Sequence, residues 1–415
     1  MKRILLVLLA AAALDAAAQA PISGLSARQR YPWNGLVDVS LTLADGAWRY
    51  DLSLAATNAA TGEALSVATV YPRGGAAGDP LRFAPGEVRL VWDAGTDVPE
   101  SVIETVVLSV SATPVERPAD SPLYIVVDLS GGASAASYPV ATLDAEPAGG
   151  FNTTEYKTTK LVLRRINPGT FTMGSPAGEV GRWDDYETQH SVTLTQAFYI
   201  GLFELTQKQW SLVMGSNPAS YEGDARPVEC VSYNDIRGSS AGGEWPASDA
   251  VDASSFLGKI RTRAPGYAWD LPTEAQWEYA CRAGTESALN SGKDLSDPYE
   301  DANMAEVGRY DYNTGDGMGG YSEHTTVGFY LPNAWGLYDM HGNVWEWSRD
   351  RGSDSLGSTP ATDPKGPTSG SSREMRGGSW NNAAKACRSA CRSSDTNLSN
   401  RRSDLGFRIS MTLSE

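Results

Sequence analysis

The residues with the clearest chemical potential lie between Leu331 and Asp350, where two carboxylates are set among turns and aromatic rings. Asp339 and Glu346 are close enough in sequence to share one hard cation, since calcium is bound by carboxylate and carbonyl oxygens. The stretch shows neither a helical repeat nor strict alternation, so irregular backbone must form much of it. Two interpretations stay open, namely loops held by an ion and an aromatic core without one.

Thiols are the second candidates for chemistry. The chain has four of them, Cys230, Cys281, Cys387 and Cys391. Residues 373–408 carry eight basic and three acidic side chains, although the whole chain has a net charge of −16. A reactive thiol needs an electropositive, partly exposed setting, which Lys385, Arg388 and Arg392 could supply to Cys387. Alternatively, the arginines of this region bond backbone carbonyls in a loop-rich fold.

Charge and histidine content exclude several classes of function. A net charge of −16 argues against a nucleic-acid partner and against an anionic membrane surface. Three histidines, at 190, 324 and 341, lie far apart and show no metal-ligand spacing. A histidine-based metal centre is therefore not expected.

The N-terminus indicates export. Lys2 and Arg3 precede an apolar run, and small residues follow up to Ala20. This order is typical of a secretory signal that is removed from the mature protein. No later apolar run reaches the roughly 20 residues that a spanning helix needs. We therefore predict a secreted or periplasmic protein with residues 1–20 as its signal peptide and no membrane span.

Residues 21–143 are predicted to form an all-β sandwich domain. Short alternating stretches such as VDVSLTL recur, and Gly, Pro, Asp and Asn separate them. No acid pair, nucleophile or metal cluster stands out, which favours a spacer or docking module. Residues 144–159 are rich in Gly, Pro, Thr and acids and are predicted to be a linker.

Residues 160–415 have a different character, with glycine-rich irregular segments and a few short helices. The clearest helix follows Pro272, where Thr273 is the N-cap and Gln276 completes a capping box. Trp277 and Cys281 share one face of this helix, which indicates a buried role for the cysteine.

A long polar stretch, residues 284–326, follows that helix. Irregular stretches of this length in a compact domain are usually functional or ion-stabilised. Asn303, Asp311, Asp316 and Glu323 offer oxygen ligands, and they are equally plausible as turn formers.

Five motifs occur in one order along the C-terminal domain. They are GTFTMGS at 169–175, LPTEAQWEYACRAGT at 271–285, NAWGLYDMHGNVWEW at 333–347, RGGSW at 376–380 and GFR at 406–408. Together they resemble the sulfatase-modifying-factor family, whose best-known member is the formylglycine-generating enzyme. The resemblance implies an α+β, C-type-lectin-like fold with little regular structure, preceded here by the β-sandwich.

The resemblance also implies structural Ca²⁺. The family's ligands near GNVWEW correspond to Asp339, Gly342, Val344 and Glu346. Two of these are acids and two would donate backbone carbonyls, a set that suits a hard cation. A second family site would begin at Asn303 and Met304 and continue among residues 316–321.

Oxidising members of the family convert a cysteine of a substrate peptide to formylglycine with copper and oxygen. Their two cysteines lie three and eight residues after the serine of the RGGS turn, and paired thiolates suit Cu(I). Here the serine is Ser379, the third residue on is Asn382, and the eighth is Cys387. One cysteine is therefore missing, and Cys391 stands at another spacing.

Three functions remain open. In the first, an oxidoreductase related to formylglycine generation uses Cys387 with Ser379 and Trp345, which match active-site positions of the family. In the second, a lectin-like protein binds a protein or peptide through a C-terminal surface whose residues vary between copies. Its contact residues would be Asn381, Asn382, Lys385, Arg388 and Arg392. The third is a structural module without a site.

Overall fold

The structure is a computed structural model that describes residues 9–11, 22–30, 35–44, 49–73, 81–83, 86–98, 105–115, 122–184, 186–314 and 323–413. The chain divides into two compact units, Met1–Ser121 and Pro122–Glu415. The predicted signal peptide lies outside the described residues except for Leu9–Ala11, so it stays a prediction. Within the described ranges, no helix has the length and apolarity required to cross a membrane.

The N-terminal unit consists mainly of strands. Their bounds, with one short helix, are β1 Leu9–Ala11, β2 Ile22–Gln29, β3 Leu36–Leu43, β4 Arg49–Asn58, β5 Ala64–Leu65, β6 Val70–Pro72, β7 Arg82–Phe83, β8 Gly86–Asp93, α1 Ala94–Asp97 and β9 Val106–Val115. One sheet has the order β2-β3-β8-β6. The other has the order β1-β9-β4-β5, with β7 also paired to β4.

Alternating side chains from these two sheets form one core. Val37 and Val39 of β3 are buried together with Leu108 and Val110 of β9, which belongs to the other sheet. Successive side chains of a strand point to opposite faces of the sheet, so every second residue faces this core. The predicted β-sandwich is therefore confirmed.

The C-terminal unit has more elements and more irregular backbone. Its strands are β10 Tyr124–Asp128, β11 Val140–Leu143, β12 Lys160–Ile166, β13 Gly169–Met173, β14 His190–Leu194, β15 Phe198–Gly201, β16 Tyr267–Asp270, β17 Gly308–Arg309, β18 His341–Gly342, β19 Trp345–Arg351, β20 Ala361–Thr362, β21 Arg373–Arg376, β22 Arg392–Asp395, β23 Leu405–Gly406 and β24 Ser410–Leu413. Its α-helices are α2 Gln207–Met214, α3 Tyr233–Arg237, α4 Phe256–Arg263, α5 Glu274–Arg282 and α6 Ala302–Val307.

Two sheets of this unit position the motif residues. The larger has the order β11-β10-β12-β15-β24-β16, and the smaller has the order β22-β21-β19-β23. Strand β19 carries the WEW motif and pairs with β21, which leads into the RGGSW turn. Much of the remaining backbone is irregular, which agrees with the predicted lectin-like α+β class.

The division between the units corrects the predicted boundary. Strand β10 pairs with β12 from Tyr124–Arg164 to Asp128–Lys160, so it belongs to the C-terminal unit. Strand β11 pairs with β10 on the other side. The predicted linker, residues 144–159, also contributes to this unit, because Phe151 is buried in an aromatic cluster. The boundary lies at Ser121/Pro122 rather than after residue 143.

Three helices begin at side-chain caps, among them the predicted cap at Thr273. Thr206, Ser232 and Thr273 each accept a hydrogen bond from the backbone N–H three residues on, and each forms a complete capping box. These side chains satisfy N–H groups that the first helical turn leaves without partners. Helix α5 buries Trp277 and Cys281 as predicted.

Candidate functional site

The RGGSW motif forms a tight turn that requires glycine at its centre. Gly378 has a φ of 73°, which favours a residue without a side chain. A Cβ there would lie 2.5 Å from Sγ of Cys387 and 2.7 Å from the carbonyl oxygen of Ala386. Glycine therefore lets the turn pack directly against the segment that carries Cys387.

Ser379 and Asn382 are joined directly within this turn. The buried Ser379 hydroxyl donates to Oδ1 of Asn382 over 2.6 Å, and Oδ2 of Asp404 lies 3.4 Å away. The backbone N–H of Asn382 donates to the Ser379 carbonyl over 3.1 Å. The position of the missing cysteine therefore holds an amide that is engaged with the motif serine.

Cys387 lies in the interior. It is completely buried, and its Sγ is 3.9 Å from the carbonyl oxygen of Ser379. Burial raises the pKa of this thiol far above its ordinary value, which leaves it neutral. A catalytic or copper-binding cysteine acts as the thiolate. Cys387 therefore lacks the partly exposed setting that a reactive thiol requires, because the fold excludes this thiol from solvent.

His341 anchors the backbone at Cys387. Its Nδ1 lies 2.6 Å from the Cys387 carbonyl oxygen, and its Nε2 accepts the N–H of Asn290 over 2.9 Å. Burial lowers the pKa of His341 to about 4. The ring is therefore neutral, with its proton on the Nδ1 that faces the carbonyl.

Trp345 is a core residue of strand β19. It is 5% exposed and belongs to the same apolar cluster as Trp347, Met375 and Leu405. Its backbone N–H donates to the carbonyl of Asp404 over 2.8 Å. Packing fully accounts for this tryptophan at the position that matches the family's active site.

Arg388 is an internal ion-pair residue and not a contact residue, which corrects the prediction. It is completely buried, and its Nη1 and Nη2 each donate to Glu187 over 2.7 Å. Nη1 also donates to Glu179. A buried guanidinium needs such carboxylates to offset its desolvation.

Arg392 requires the same correction. It is 3% exposed and donates through Nε and Nη2 to both oxygens of Glu274 over 2.7 Å. Nη2 also reaches Glu374 over 2.7 Å. Neither Arg388 nor Arg392 supplies free positive charge to a ligand or to Cys387.

Other arginines follow the predicted carbonyl-bonding pattern. Arg376 donates to the carbonyls of Ser389, Ala390 and Cys391 at 2.7–3.1 Å. It also pairs with the buried carboxylate of Glu278. The sequence predicted the carbonyl partners as a class but not this acidic partner.

Asp339 has the environment of a cation ligand. It is 2% exposed, and its Oδ2 accepts the N–H of Gly328 over 2.6 Å. Its other oxygen, Oδ1, is buried without a hydrogen-bond partner. Burial raises the pKa of Asp339 to about 6. A buried oxygen left in this way fits a hard cation, because native proteins rarely leave such atoms unpaired.

Glu346, which the sequence predicts to share the same ion, is held in an ion pair with Arg408. Both of its oxygens accept from Nε of Arg408, at 2.9 and 2.7 Å. Oε2 also accepts from Nε1 of Trp277 over 2.7 Å. Across the described residues, no three His, Cys, Asp or Glu side chains are arranged to hold a metal ion. The sequence did not predict the ion pair at Glu346, and the shared cation site stays a prediction.

Glu204 is a residue that sequence reasoning missed. It is completely buried, and its Oε1 accepts the N–H of Val344 over 3.0 Å. The side chain of Asn343 donates to its other oxygen. Burial, and then the charges of Asp339 and Glu346, raise the pKa of Glu204. No local motif marks this glutamate, which lies 139 positions before Asn343 in the sequence.

The second predicted metal site is only partly described. Asn303 and Met304 lie in helix α6, where Oδ1 of Asp301 caps their N–H groups at 2.9 and 3.0 Å. Met304 is completely buried. Residues 316–321 and Asp316 lie outside the described residues. These two residues are therefore placed at a helix start, and the rest of the site stays a prediction.

Segment 381–388 is bordered on one side by the polar loops of the long irregular stretch. The N–H of Ala384 donates to the carbonyl of Tyr299 over 3.0 Å. The N–H of Asp311 donates to the carbonyl of Asn382 over 2.9 Å. These bonds hold Tyr299 and the neighbouring 311–313 turn beside the segment.

A second loop also contacts the segment. Nη2 of Arg388 donates to the carbonyl of Gly181 over 2.8 Å. A Cβ at Gly181 would lie 2.5 Å from Cβ of Lys385. Trp183 and Tyr186 follow in this loop and meet edge-to-face, with ring centroids 6.0 Å apart.

The two loops that contact the segment carry exposed rings. Four of the six large exposed apolar side chains of the described residues lie here, namely Trp183 at 46%, Tyr186 at 39%, Tyr299 at 52% and Tyr312 at 49% exposure. We call these rings, with exposed Asn381 and half-buried Asn382 and Lys385, the aromatic surface. Of the predicted contact residues, these last three are accessible. Aromatic residues within otherwise polar loops were the sequence signal for the rings.

The fold and motif geometry define the class of protein. A model of the sulfatase-modifying factor enzyme 1-like domain matches residues 150–413, and the chain belongs to this family. The resemblance inferred from the five motifs is thereby confirmed.

Individual relatives are distant in sequence. The formylglycine-generating enzyme of Mus musculus is 29% identical over 286 residues, covering 60% of this chain and 75% of the enzyme. Chaperone protein LppX of Paenibacillus barcinonensis is 34% identical over 179 residues, covering 38% of this chain and 63% of LppX. The solved structure of PvdO from Pseudomonas aeruginosa is 25% identical, with a TM-score of 0.50, over 61% of this chain and 94% of PvdO.

Proposed function

We propose that this protein is a formylglycine-generating-enzyme-like binding protein, which holds a protein or peptide ligand on its aromatic surface and lacks copper-dependent cysteine oxidation. Its similar proteins include both an enzyme and a protein named as a chaperone. Family membership therefore does not choose between the two functions, and the residues at the site must.

The hydrogen bond between Ser379 and Asn382 carries this proposal. The amide occupies the position at which oxidising members have their first cysteine, and its Oδ1 is 2.6 Å from the serine hydroxyl. The cysteine that remains, Cys387, is fully buried. One buried neutral thiol and one amide do not fit the paired thiolates that hold Cu(I).

The composition of the aromatic surface supports the binding function. Tyrosine and tryptophan supply large contact area at low entropic cost, while small polar residues adapt their hydrogen bonds to a ligand. Trp183, Tyr186, Tyr299 and Tyr312 are exposed beside Asn381. Isolated exposed rings are common, but a group around one segment marks interaction surfaces.

The proposal includes export through residues 1–20 and one structural calcium ion. The unpaired Oδ1 of Asp339 supports the ion, with the carbonyls of Gly342 and Val344 as further ligands and Glu346 left to Arg408. Because a bound ion stabilises only the folded state, calcium removal should lower the melting temperature. The Asp339→Asn variant should melt at the same temperature with and without calcium.

A peptide-oxidation assay tests the absence of oxidase chemistry. The purified protein is supplied with copper, a thiol reductant and a cysteine-containing peptide, and peptide oxidation is followed by mass spectrometry. We expect no conversion of the peptide cysteine. Conversion by the wild-type protein that Cys387→Ser abolishes would overturn the proposal.

Peptide selection tests the binding function directly. A random peptide library is selected on the wild-type protein and, separately, on the Trp183→Ala/Tyr299→Ala variant. We expect peptides that bind the wild type and not the variant. The matched control is Phe329→Ala, since Phe329 is 69% exposed and lies outside the aromatic surface. Peptides that bind all three proteins equally would contradict the proposal.

A further inference from the structure

The charge of the aromatic surface indicates what kind of ligand it holds. Four carboxylates are exposed among its rings, and they belong to Asp184, Asp297, Glu300 and Asp311. The accessible cations of the two loops and the segment are Arg182, Lys293, Arg309 and Lys385, and Lys293 is already paired with Glu306. The described part of the surface therefore carries more negative than positive charge.

The acids alternate with the rings along each loop. Asp184 stands between Trp183 and Tyr186, and its side chain is 88% exposed although it contacts Arg182. Glu300 directly follows Tyr299, and Asp311 directly precedes Tyr312. A side chain with a positive end and an apolar stem could contact a ring and a carboxylate together.

One such contact already exists within the protein. Nζ of Lys385 lies 4.8 Å from the centroid of the Tyr299 ring. Tyrosine rings attract cations at this distance through the negative potential of the ring face. Tyr299 is nevertheless 52% exposed, so a large part of its ring stays accessible to a second group.

From this arrangement we infer that the aromatic surface binds a cationic polypeptide segment, with arginine or lysine side chains placed against its rings and paired with its carboxylates. The inference rests on the proposed binding function and adds the chemical class of the ligand. Nucleic acid would be repelled by the same carboxylates. A neutral saccharide could stack on the rings but would leave the excess negative charge without a partner.

The peptide selection separates this inference from the proposed function. If the peptides that require the aromatic surface carry net positive charge, both are supported. If such peptides are neutral or acidic, the binding function stands and the inference fails. If no peptide requires the aromatic surface, both fail.

Direct titration tests the charge in a defined probe. The probe is a fluorescent peptide of alternating arginine and glycine, and its control replaces arginine with the uncharged isostere citrulline. We expect saturable binding of the arginine peptide that weakens with added salt, because exposed ion pairs are screened. Equal binding of the citrulline peptide would overturn the inference.

Charge reversal locates the binding. The variant Glu300→Lys/Asp311→Lys should bind the arginine peptide about tenfold more weakly, as expected for two exposed ion pairs replaced by repulsion. Its control is Glu63→Lys/Glu244→Lys, which changes the net charge equally at exposed acids outside the aromatic surface. Equal weakening by both variants would show non-specific attraction to an acidic protein and would overturn the inference.

A saccharide array completes the test. Binding of a neutral saccharide that Trp183→Ala/Tyr299→Ala removes, without any binding of the arginine peptide, would replace the inferred ligand class. Circular dichroism of each variant shows whether it is folded, and the citrulline comparison on the wild-type protein needs no variant at all.

Discussion

At the scale of single residues, burial decides which charged groups remain available. Asp350 illustrates this, because it is 2% exposed and its oxygens accept from Nε1 of Trp245 at 3.1 Å and from the N–H of Glu274 at 2.7 Å. Burial and the nearby charge of Glu274 nevertheless raise the pKa of Asp350 to about 7. The folded protein therefore binds a proton that the unfolded chain releases near pH 4.

A pH dependence of stability follows from that difference. Since the folded pKa of Asp350 is raised, its contribution is fully present below the unfolded pKa and is lost as pH rises through about 7. Between pH 5 and 8 the wild type should lose roughly 2.5 kcal/mol more unfolding free energy than Asp350→Asn. Urea denaturation at both pH values measures this. Burial also raises the pKa of Glu374, but this residue is present in both proteins, so its contribution cancels in the comparison. Parallel pH profiles of the two proteins would disprove the expected role of Asp350.

Thiol labelling reports the same burial at the cysteines. Cys281, Cys387 and Cys391 are buried, whereas Cys230 is half-buried. In the native protein a thiol reagent should modify Cys230 first, although burial raises its pKa to about 11 and slows the reaction. The Cys230→Ser variant should show no fast labelling. Rapid modification of Cys387 in folded protein would contradict its interior position.

Local spacing made part of the site predictable. The RGGSW turn and the short helix Ala384–Cys387 contain Ser379, Asn382 and Cys387. Motif spacing alone was therefore enough to predict that these residues lie close together. The partners of Arg388 were not predictable, because Glu187 is 201 positions away and no local pattern identifies it. The exposure of Arg388 was therefore misjudged, while the nearby Asn381 was placed correctly at the surface.

At the scale of elements, a buried ion pair holds one loop of the aromatic surface in place. Arg388 joins the loop at Gly181 and Glu187 to the segment after the RGGSW turn. Both partners are almost fully shielded from solvent, so neither charge can be satisfied by water if the other is removed. This element therefore depends on one arginine for its position.

Removing that arginine should destabilise the C-terminal unit strongly. We expect Arg388→Ala to lower the unfolding free energy by about 3–5 kcal/mol, because Glu187 would remain buried and unpaired. The control is Arg401→Ala, whose pair with Asp235 is 59% and 25% exposed and should matter by less than about 1 kcal/mol. Chemical denaturation measures both variants. Equal losses of unfolding free energy in the two variants would show that burial does not determine how much these ion pairs contribute to stability.

Elements differed in how far the sequence determined them. The capping boxes at Thr206 and Thr273 were predictable, since each is completed within four residues. Strand β10 lies within the range that alternation predicted to be β-rich, but alternation identifies a strand without naming its partner. Its pairing with β12 is a long-range choice set by packing, and the predicted boundary was therefore placed too late.

At the scale of the whole molecule, the corrected boundary defines which fragment can fold. Strand β10 is an inner strand of the six-stranded sheet, between β11 and β12. Its side chains Ile125 and Val127, with the following Leu129, are completely buried in the largest apolar cluster of the C-terminal unit. Removing them would open the edge of β12 and uncover the core.

The magnitudes decide the outcome for two truncated proteins. Each buried aliphatic side chain contributes about 1.5–3 kcal/mol, so the three together are comparable with the roughly 5–15 kcal/mol stability of a whole domain. A protein of residues 122–415 should therefore unfold cooperatively on heating. A protein of residues 144–415, which begins at the boundary that composition alone suggested, should lack a cooperative transition and aggregate.

Calorimetry and analytical gel filtration compare the two fragments, and the longer fragment controls for the loss of the N-terminal unit. Matching melting curves would show that the C-terminal unit does not need β10 to fold.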